Sequence, residues 1–179
     1  MDHAGARDLY EEIKSHERKR FFKSSMGWLY LFDSKLLYCN FLNHCFRNAI
    51  FRNVDFRYSV TSSKEVNGDI MGADFSFCNN QYTAFSYCYA REARFYKTKA
   101  DHAMFDHTNL IGALFISSSL KNASFVNARV HNVSFKNSNL QGTDFTGASI
   151  RNVDCRDADL RYVKGLDMSL IRIDKSTLL

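Results

Sequence analysis

The chain has 179 residues, of which 45% are hydrophobic, and a formal net charge of +5. These values exclude general disorder and predict one folded unit with a sizeable core. The 24 basic and 19 acidic residues are spread along the chain, which excludes a polycationic tail as the basis of function. Because we find neither a signal-like segment nor a run of about eighteen apolar residues, we expect a cytoplasmic protein without a membrane span.

Residues 1–28 form the first predicted element, a short helical segment. Leu9, Tyr10 and Ile13 have the spacing of one helix face and lie outside the five-residue period found later in the chain. We expect this segment to cap one end of the fold, where unpaired strand edges would otherwise invite aggregation. The basic run at residues 18–20 leaves two interpretations open, a solvated helix face or contact with an anionic partner.

Large apolar residues occupy most of the positions spaced five apart in two blocks between residues 29 and 170. An early block contains Phe41, Phe46, Phe51 and Phe56, and the register that starts at Ile70 does not slip before Leu170. A period of five fits neither a helix, which repeats every 3.6 residues, nor a strand, which repeats every 2.0. The predicted core consists of two sets of phenylalanines, Phe75, Phe95, Phe115 and Phe135 in the first and Phe85, Phe105, Phe125 and Phe145 in the second.

Two further rows accompany the large residues. A small residue lies two positions before each of them from Ala73 to Val163, and Gly or Asn often lies two positions after, as at Gly112 and Asn122. Gly and Asn tolerate the positive φ that tight turns require. Four five-residue sides joined by such corners would close a coil of about 20 residues, so that residues twenty apart stack at the spacing of paired strands. In this scheme Leu170 is expected to lie over Ile150.

The segment between Phe56 and Ile70 interrupts the period, because the two residues are not separated by a multiple of five. We predict a loop insertion near residues 57–69, rich in Ser, Thr and charge. In a solenoid an insertion can form a recognition surface, for which the candidate residues are Tyr58, Lys64, Glu65 and Asn67. The alternative is an excursion with no binding role.

Residues 171–179 leave the period and form the last predicted element. Their sequence, "IRIDKSTLL", is apolar enough either to cap the end of the coil or to pair with a second copy of the chain. Both interpretations stay open: a C-terminal cap or a dimerisation tail.

Several pentads resemble the pentapeptide repeat family, whose loose consensus is A(D/N)LXX. The matching stretches are "ADFSF" from Ala73, "SNLQG" from Ser138, "TDFTG" from Thr143 and "ADLRY" from Ala158. The resemblance implies an all-β solenoid, a right-handed quadrilateral β-helix. It also implies that a homodimer through the C-terminal end is possible. It implies no single function, because a fold does not determine a function.

The sequence contains no catalytic motif, no metal-binding spacing and no cofactor-binding motif. Its five cysteines are odd in number and lack the CxxC spacing, so we expect reduced thiols that fill space in the core. His102 and His107 follow successive large residues by two positions and are expected to point outward at neighbouring corners. We therefore predict that the protein is not an enzyme and binds neither a metal ion nor a cofactor.

The outward positions predict two surface groups. Tyr96, Ile111, Leu114 and Ile116 form an apolar patch that is the candidate partner surface. Tyr82, Tyr87 and Tyr89 form an aromatic group on the early coils. Single exposed apolar residues are common on protein surfaces, and that interpretation stays open beside a binding role.

The favoured function is a non-enzymatic protein–protein interaction module with an unidentified protein partner. The alternative implied by the resemblance is protection of DNA gyrase by mimicry of DNA, which gives resistance to quinolones or peptide toxins. Mimicry needs a surface of carboxylates, but residues 70–170 contain eleven bases and nine acids. A secreted bacterial effector is a further alternative. Direct nucleic-acid binding is not favoured, because charge along the outward columns is mixed.

Overall fold

The computed structural model describes residues 30–32, 36, 46–52, 54–61 and 67–179. Within these ranges the chain forms very short strands and isolated bridges, and no α-helix is present. The predicted helical cap, residues 1–28, lies outside the described residues. The strands, in chain order, are β1 (Tyr30–Phe32), β2 (Ile50–Arg52), β3 (Arg129–His131), β4 (Ser149–Arg151), β5 (Val153–Asp154) and β6 (Ile171–Arg172).

Parallel pairing between successive coils builds the fold, which is a β-helix. Along one side the bridges join Asp74 to Arg94, Arg94 to Leu114 and Leu114 to Ser134, always between residues twenty positions apart. The Leu114 carbonyl accepts the Phe95 N–H at 2.7 Å, and the Leu114 N–H donates to the Ala93 carbonyl at 3.0 Å. Proline has no N–H to donate, so such a ladder accounts for the absence of proline from the chain.

Corners between the sides are turns with one residue in the left-handed region. The Ala93 N–H donates to the Ala90 carbonyl at 3.2 Å, which closes a four-residue turn. Its third residue, Glu92, has a φ of 59°, as a type II turn requires. The same position elsewhere holds Gly112 at 74° and Asn122 at 55°. The row of Gly and Asn in the sequence therefore corresponds to the corners of the coil.

Phenylalanine rings fill the interior in two ladders. In the first, the centroids of Phe95 and Phe115 lie 4.6 Å apart with nearly parallel planes. In the second, Phe105 and Phe125 lie 4.9 Å apart in the same way. Across the interior, Phe105 meets Phe115 edge to face at 5.3 Å. The members of the ladders, all buried, are Phe75, Phe95, Phe115 and Phe135 in the first and Phe85, Phe105, Phe125 and Phe145 in the second. Both contact geometries are favourable for aromatic rings.

Some of the small inward residues carry hydroxyl groups, which donate hydrogen bonds to backbone carbonyls. Thr108 is fully buried, and its Oγ1 donates to the Phe85 carbonyl of the preceding coil at 2.8 Å. Thr143 likewise donates to the Leu120 carbonyl at 3.1 Å. These bonds satisfy polar groups that would otherwise be costly inside an apolar core.

The insertion in the early coils changes the register without ending the pairing. Val60 bridges Ala84 and Asp55 bridges Asn79, in each case across twenty-four positions, whereas Asp69 bridges Tyr89 across twenty. Tyr58 therefore lies on the coil itself, and the four extra residues fall between Thr61 and Asp69. Lys64 and Glu65 of the predicted recognition loop lie outside the described residues.

The C-terminal coil departs from the period. The expectation that Leu170 lies over Ile150 is wrong: Leu170 is 47% exposed and ends a 3-10 helix, Met168–Leu170. Asp167 caps this helix by accepting the Ser169 N–H at 2.9 Å. The helical turn alters the number of residues in the coil, so that Ile171 instead packs against the core.

Asn80 is a polar residue at an inward position whose column is otherwise apolar. Its side chain is fully buried; Nδ2 donates to Thr98 Oγ1 at 3.1 Å, whereas Oδ1 has no hydrogen-bond partner among the residues that the structure describes. The position directly above it is Ala100, followed by Leu120 and Leu140 in the same column. An unpaired buried carbonyl of this kind costs about 1–3 kcal/mol.

We expect Asn80→Leu to raise the free energy of unfolding by about 1 kcal/mol or more, because leucine removes the unpaired oxygen and suits the column. Urea denaturation followed by circular dichroism measures the change. Asn79→Leu is the matched control, since Asn79 lies one position earlier and its Oδ1 accepts the Gln81 N–H at 3.3 Å. A lower stability for Asn80→Leu than for the wild type would contradict the prediction.

Candidate functional site

An apolar surface lies on the outside of the coil, over the side that contributes the first phenylalanine ladder. Leu114 and Ile116 flank the buried Phe115 and are themselves half-buried, and Leu114 bridges Arg94 on the coil below. Tyr96 is 37% exposed. Ile111 is half-buried and precedes Gly112, the corner residue that separates it from Leu114. The structure thus places the four predicted surface residues on two adjoining sides of the same coils.

Phe77 belongs to this surface, although the sequence analysis did not include it. Its side chain is 47% exposed, and its ring meets Tyr96 edge to face with centroids 5.6 Å apart. Phe77 has a φ of 63°, so it occupies a corner, where an aromatic side chain is unusual. A large aromatic residue in the row of Gly and Asn was the signal that could have revealed it. We call Phe77, Tyr96, Ile111, Leu114 and Ile116 the aromatic–aliphatic surface.

Cations border the aromatic–aliphatic surface. Arg94, Lys97 and Lys99 are exposed, and Lys97 Nζ lies 5.3 Å from the centroid of the Tyr96 ring. In the part of the chain that the structure describes, no carboxylate forms an ion pair with any of the three. The surface therefore combines apolar and aromatic contact area with exposed cations along one edge, whereas the exposed Glu92, whose N–H donates to the Ile111 carbonyl at 3.0 Å, lies at another edge.

A second aromatic group lies along two corners of the early coils. Tyr58, Tyr82 and His102 form one stack, with centroid distances of 4.9 and 4.8 Å. At the next corner Tyr87 stacks on His107 at 4.7 Å. Tyr82 and Tyr87 thus belong to separate stacks, and the histidines are held against tyrosine rings at the outward corners.

Asn67 and Tyr89 connect the second described part of the insertion to the coil. The Asn67 side chain donates from Nδ2 to the Tyr89 hydroxyl at 3.3 Å, and both residues are exposed. Of the four candidate residues in the predicted recognition loop, the structure therefore places Tyr58 in the corner stack and Asn67 beside Tyr89.

Comparison with known proteins identifies the repeat. A family model described as pentapeptide repeats matches residues 93–132 and 131–161 in eight copies. The solved structure of a pentapeptide repeat protein from the Arabidopsis thaliana thylakoid lumen is 32% identical, covering 52% of this chain and 68% of that chain, with a TM-score of 0.43. The chain belongs to the pentapeptide repeat family.

Other solved pentapeptide-type structures are similar at lower identity. Trypsin-treated QnrB1, a plasmid-mediated fluoroquinolone resistance protein, is 14% identical over 87% of both chains, with a TM-score of 0.51. HetL, a pentapeptide repeat protein involved in heterocyst differentiation regulation in Nostoc sp. strain PCC 7120, is 15% identical over 100% of this chain and 95% of that one, with a TM-score of 0.33. The likeness to QnrB1 shows a shared fold. No curated protein matches the chain.

The titratable groups of this pentapeptide repeat protein do not converge on a reaction centre in the described residues. No group of three or more His, Cys, Asp or Glu side chains in those ranges could hold a metal ion. Cys78, Cys88 and Cys155 are buried, and burial raises the pKa of the Cys155 thiol to about 12. Such a thiol stays protonated and unreactive at neutral pH. Nor does any helix in the described ranges have the length and apolar character of a membrane span.

Carboxylates near the C-terminal end of the pentapeptide coil are partly neutralised. Asp154 contacts Arg156 at 2.7 Å, and Asp159 contacts Arg161 at the same distance. The hydrogen bond from each arginine side chain is the main cause that holds the pKa of its aspartate below the ordinary value. Asp144, by contrast, accepts the Thr146 N–H at 2.8 Å and has no ion pair within the described residues.

Proposed function

We propose that the protein is a non-enzymatic interaction module that binds a protein partner through the aromatic–aliphatic surface. The observation that carries this proposal is the contact of exposed Phe77 and Tyr96 beside half-buried Leu114 and Ile116. Aromatic residues are enriched in protein interfaces because they supply a large contact area at low cost in conformational entropy. A continuous backbone ladder beneath them keeps that cost low.

The border of the surface suggests the charge of the partner. Arg94, Lys97 and Lys99 are exposed and lack ion pairs within the described part of the chain. Complementary charge at the rim of an interface accelerates association and favours the correct partner. We therefore propose that the partner has an acidic rim around an apolar centre.

Substitution of Ile116 by aspartate tests this function. We expect Ile116→Asp to abolish recovery of partner proteins from a lysate of the source organism, because binding would desolvate the new carboxylate without a pair. Met104→Asp is the control, since Met104 is 40% exposed on a different side of the coil. Proteins recovered equally by the wild type and by Ile116→Asp would rule out this surface, provided that circular dichroism shows both to be folded.

Protection of DNA gyrase is the second candidate function. It is favoured by the shared fold with QnrB1 and by the carboxylates of Asp144 and Asp167, which accept hydrogen bonds from amide or hydroxyl groups but form no ion pair in the described residues. The arginine pairs of Asp154 and Asp159 limit any mimicry of DNA to a small part of the surface.

A supercoiling assay distinguishes the two candidates. If the protein protects gyrase, a molar excess should preserve supercoiling in the presence of a quinolone. A variant with Asp144→Asn and Asp167→Asn should protect less, because it removes two carboxylates that form no ion pair in the described residues. Unchanged quinolone inhibition at a large molar excess of wild-type protein would eliminate gyrase protection and leave the interaction module untouched.

We further infer the geometry of the coil and the roles of its two ends. The twenty-residue register supports a four-sided coil of about 20 residues per turn. Its right-handed sense and the role of residues 1–28 as a helical cap stay predictions from the sequence.

The exposed side chains of Leu170, Ile173, Leu178 and Leu179 support a homodimer through the C-terminal end, because a second copy would remove them from water. Analytical ultracentrifugation should detect this dimer, and Leu178→Asp should shift it to monomer. Sedimentation as a monomer at high concentration would contradict the inference.

A further inference from the structure

Charged side chains on the coil follow a local pairing rule. An aspartate before an inward residue and an arginine after it lie side by side on the outer face and form an ion pair. The described residues contain three such pairs, Asp55 with Arg57 at 2.8 Å, Asp154 with Arg156 at 2.7 Å and Asp159 with Arg161 at 2.7 Å. The position before the inward residue is therefore where an acid neutralises the arginine that follows.

Strands β3 and β4 break this rule. Arg129 and His131 flank the buried Val130, and Ser149 and Arg151 flank Ile150, so neither strand has an acid at the neutralising position. Arg129 and Arg151 are both exposed, and within the described residues neither forms an ion pair. We call Arg129, His131, Ser149 and Arg151 the β3–β4 face.

Parallel pairing brings the four residues of the β3–β4 face together. The register joins Arg129 to Ser149 and His131 to Arg151. Neighbouring strands lie about 4.8 Å apart and alternate residues about 6.6 Å apart, so Arg129 and Arg151 occupy diagonal positions about 8 Å apart at the backbone. Two arginine side chains can reach one tetrahedral anion across that distance. His131 and Ser149 occupy the other diagonal, and a hydrogen bond of 2.8 Å joins His131 Nε2 and Ser149 Oγ.

Within the described residues, no carboxylate forms an ion pair with the β3–β4 face. At the adjoining corner, Asn152 Nδ2 donates to Asn132 Oδ1 at 2.8 Å, which makes that border neutral. The nearest carboxylate along the chain, Asp154, is held by Arg156. Partial burial, and then the charges of Arg129 and Arg151, lower the pKa of His131, which agrees with two guanidinium groups close to the ring.

We propose that the β3–β4 face is a binding site for a phosphate group, held between the guanidinium groups of Arg129 and Arg151. Guanidinium groups bind phosphate oxygens through two parallel hydrogen bonds, which gives both affinity and orientation. The phosphate would supply the negative charge that aspartate supplies at the three paired positions. This proposal does not depend on the aromatic–aliphatic surface.

Titration with inorganic phosphate at pH 7, followed by the Nε–Hε NMR signals of the arginines, tests the site. We expect saturable shifts for Arg129 and Arg151, and none when sodium chloride is added to the same ionic strength. Arg151→Gln should weaken phosphate binding about tenfold or more, because it removes one charged donor group. Arg161→Gln is the matched control: it removes the same charge from an exposed arginine that is paired with Asp159, and it should leave the affinity within about twofold.

A second arm identifies the source of the phosphate. A short phosphoserine peptide and its unphosphorylated form are titrated beside inorganic phosphate. Tighter binding of the phosphopeptide would point to a phosphorylated protein as the ligand, and equal or weaker binding would point to free phosphate. Equal shifts with chloride, or equal weakening by Arg161→Gln and Arg151→Gln, would overturn the proposal.

Discussion

The parallel hydrogen-bond ladder between successive coils is the interaction on which the rest of the structure depends. The central inward residue of a side, such as Phe95, donates its N–H to the coil above, and its neighbour Arg94 donates to the coil below. Because the pairing from Asp69 to Lys164 joins residues twenty positions apart, it also places like side chains over one another. The ladder and the phenylalanine stacks therefore stabilise the same register, and each makes a slip of the other costly.

The same register builds the outer surface. Outward side chains stand in columns, so a residue finds its neighbours both along its own coil and one coil away. The Tyr82–His102 stack and the contact between Phe77 and Tyr96 both join neighbouring coils. Function in such a fold is a property of columns and corners, because the interior is occupied by side chains and offers few convergent polar groups. This supports binding rather than catalysis as the proposed role.

Local exceptions to the repeat carry most of the information about this protein. Aromatic residues occupy corners at Phe77, Tyr82 and Tyr87, where a positive φ favours Gly or Asn. Placing a bulky residue there has a cost, of order 1 kcal/mol or more, that the fold does not require. The missing acids of β3 and β4 are exceptions of the same kind. Both sets lie on the outside, where they can serve binding.

The sequence by itself determined the inward row, the corners and the outward positions, because a five-residue period is a local property of the chain. It could not determine all contacts between coils, since these depend on how many residues each coil contains. Four additional residues after Thr61 place Tyr58 on Tyr82, and the 3-10 helix at Met168–Leu170 brings Ile171 rather than Leu170 to the core. Only the tertiary structure decided these registers, because backbone pairing, and not spacing along the chain, sets which side chains meet.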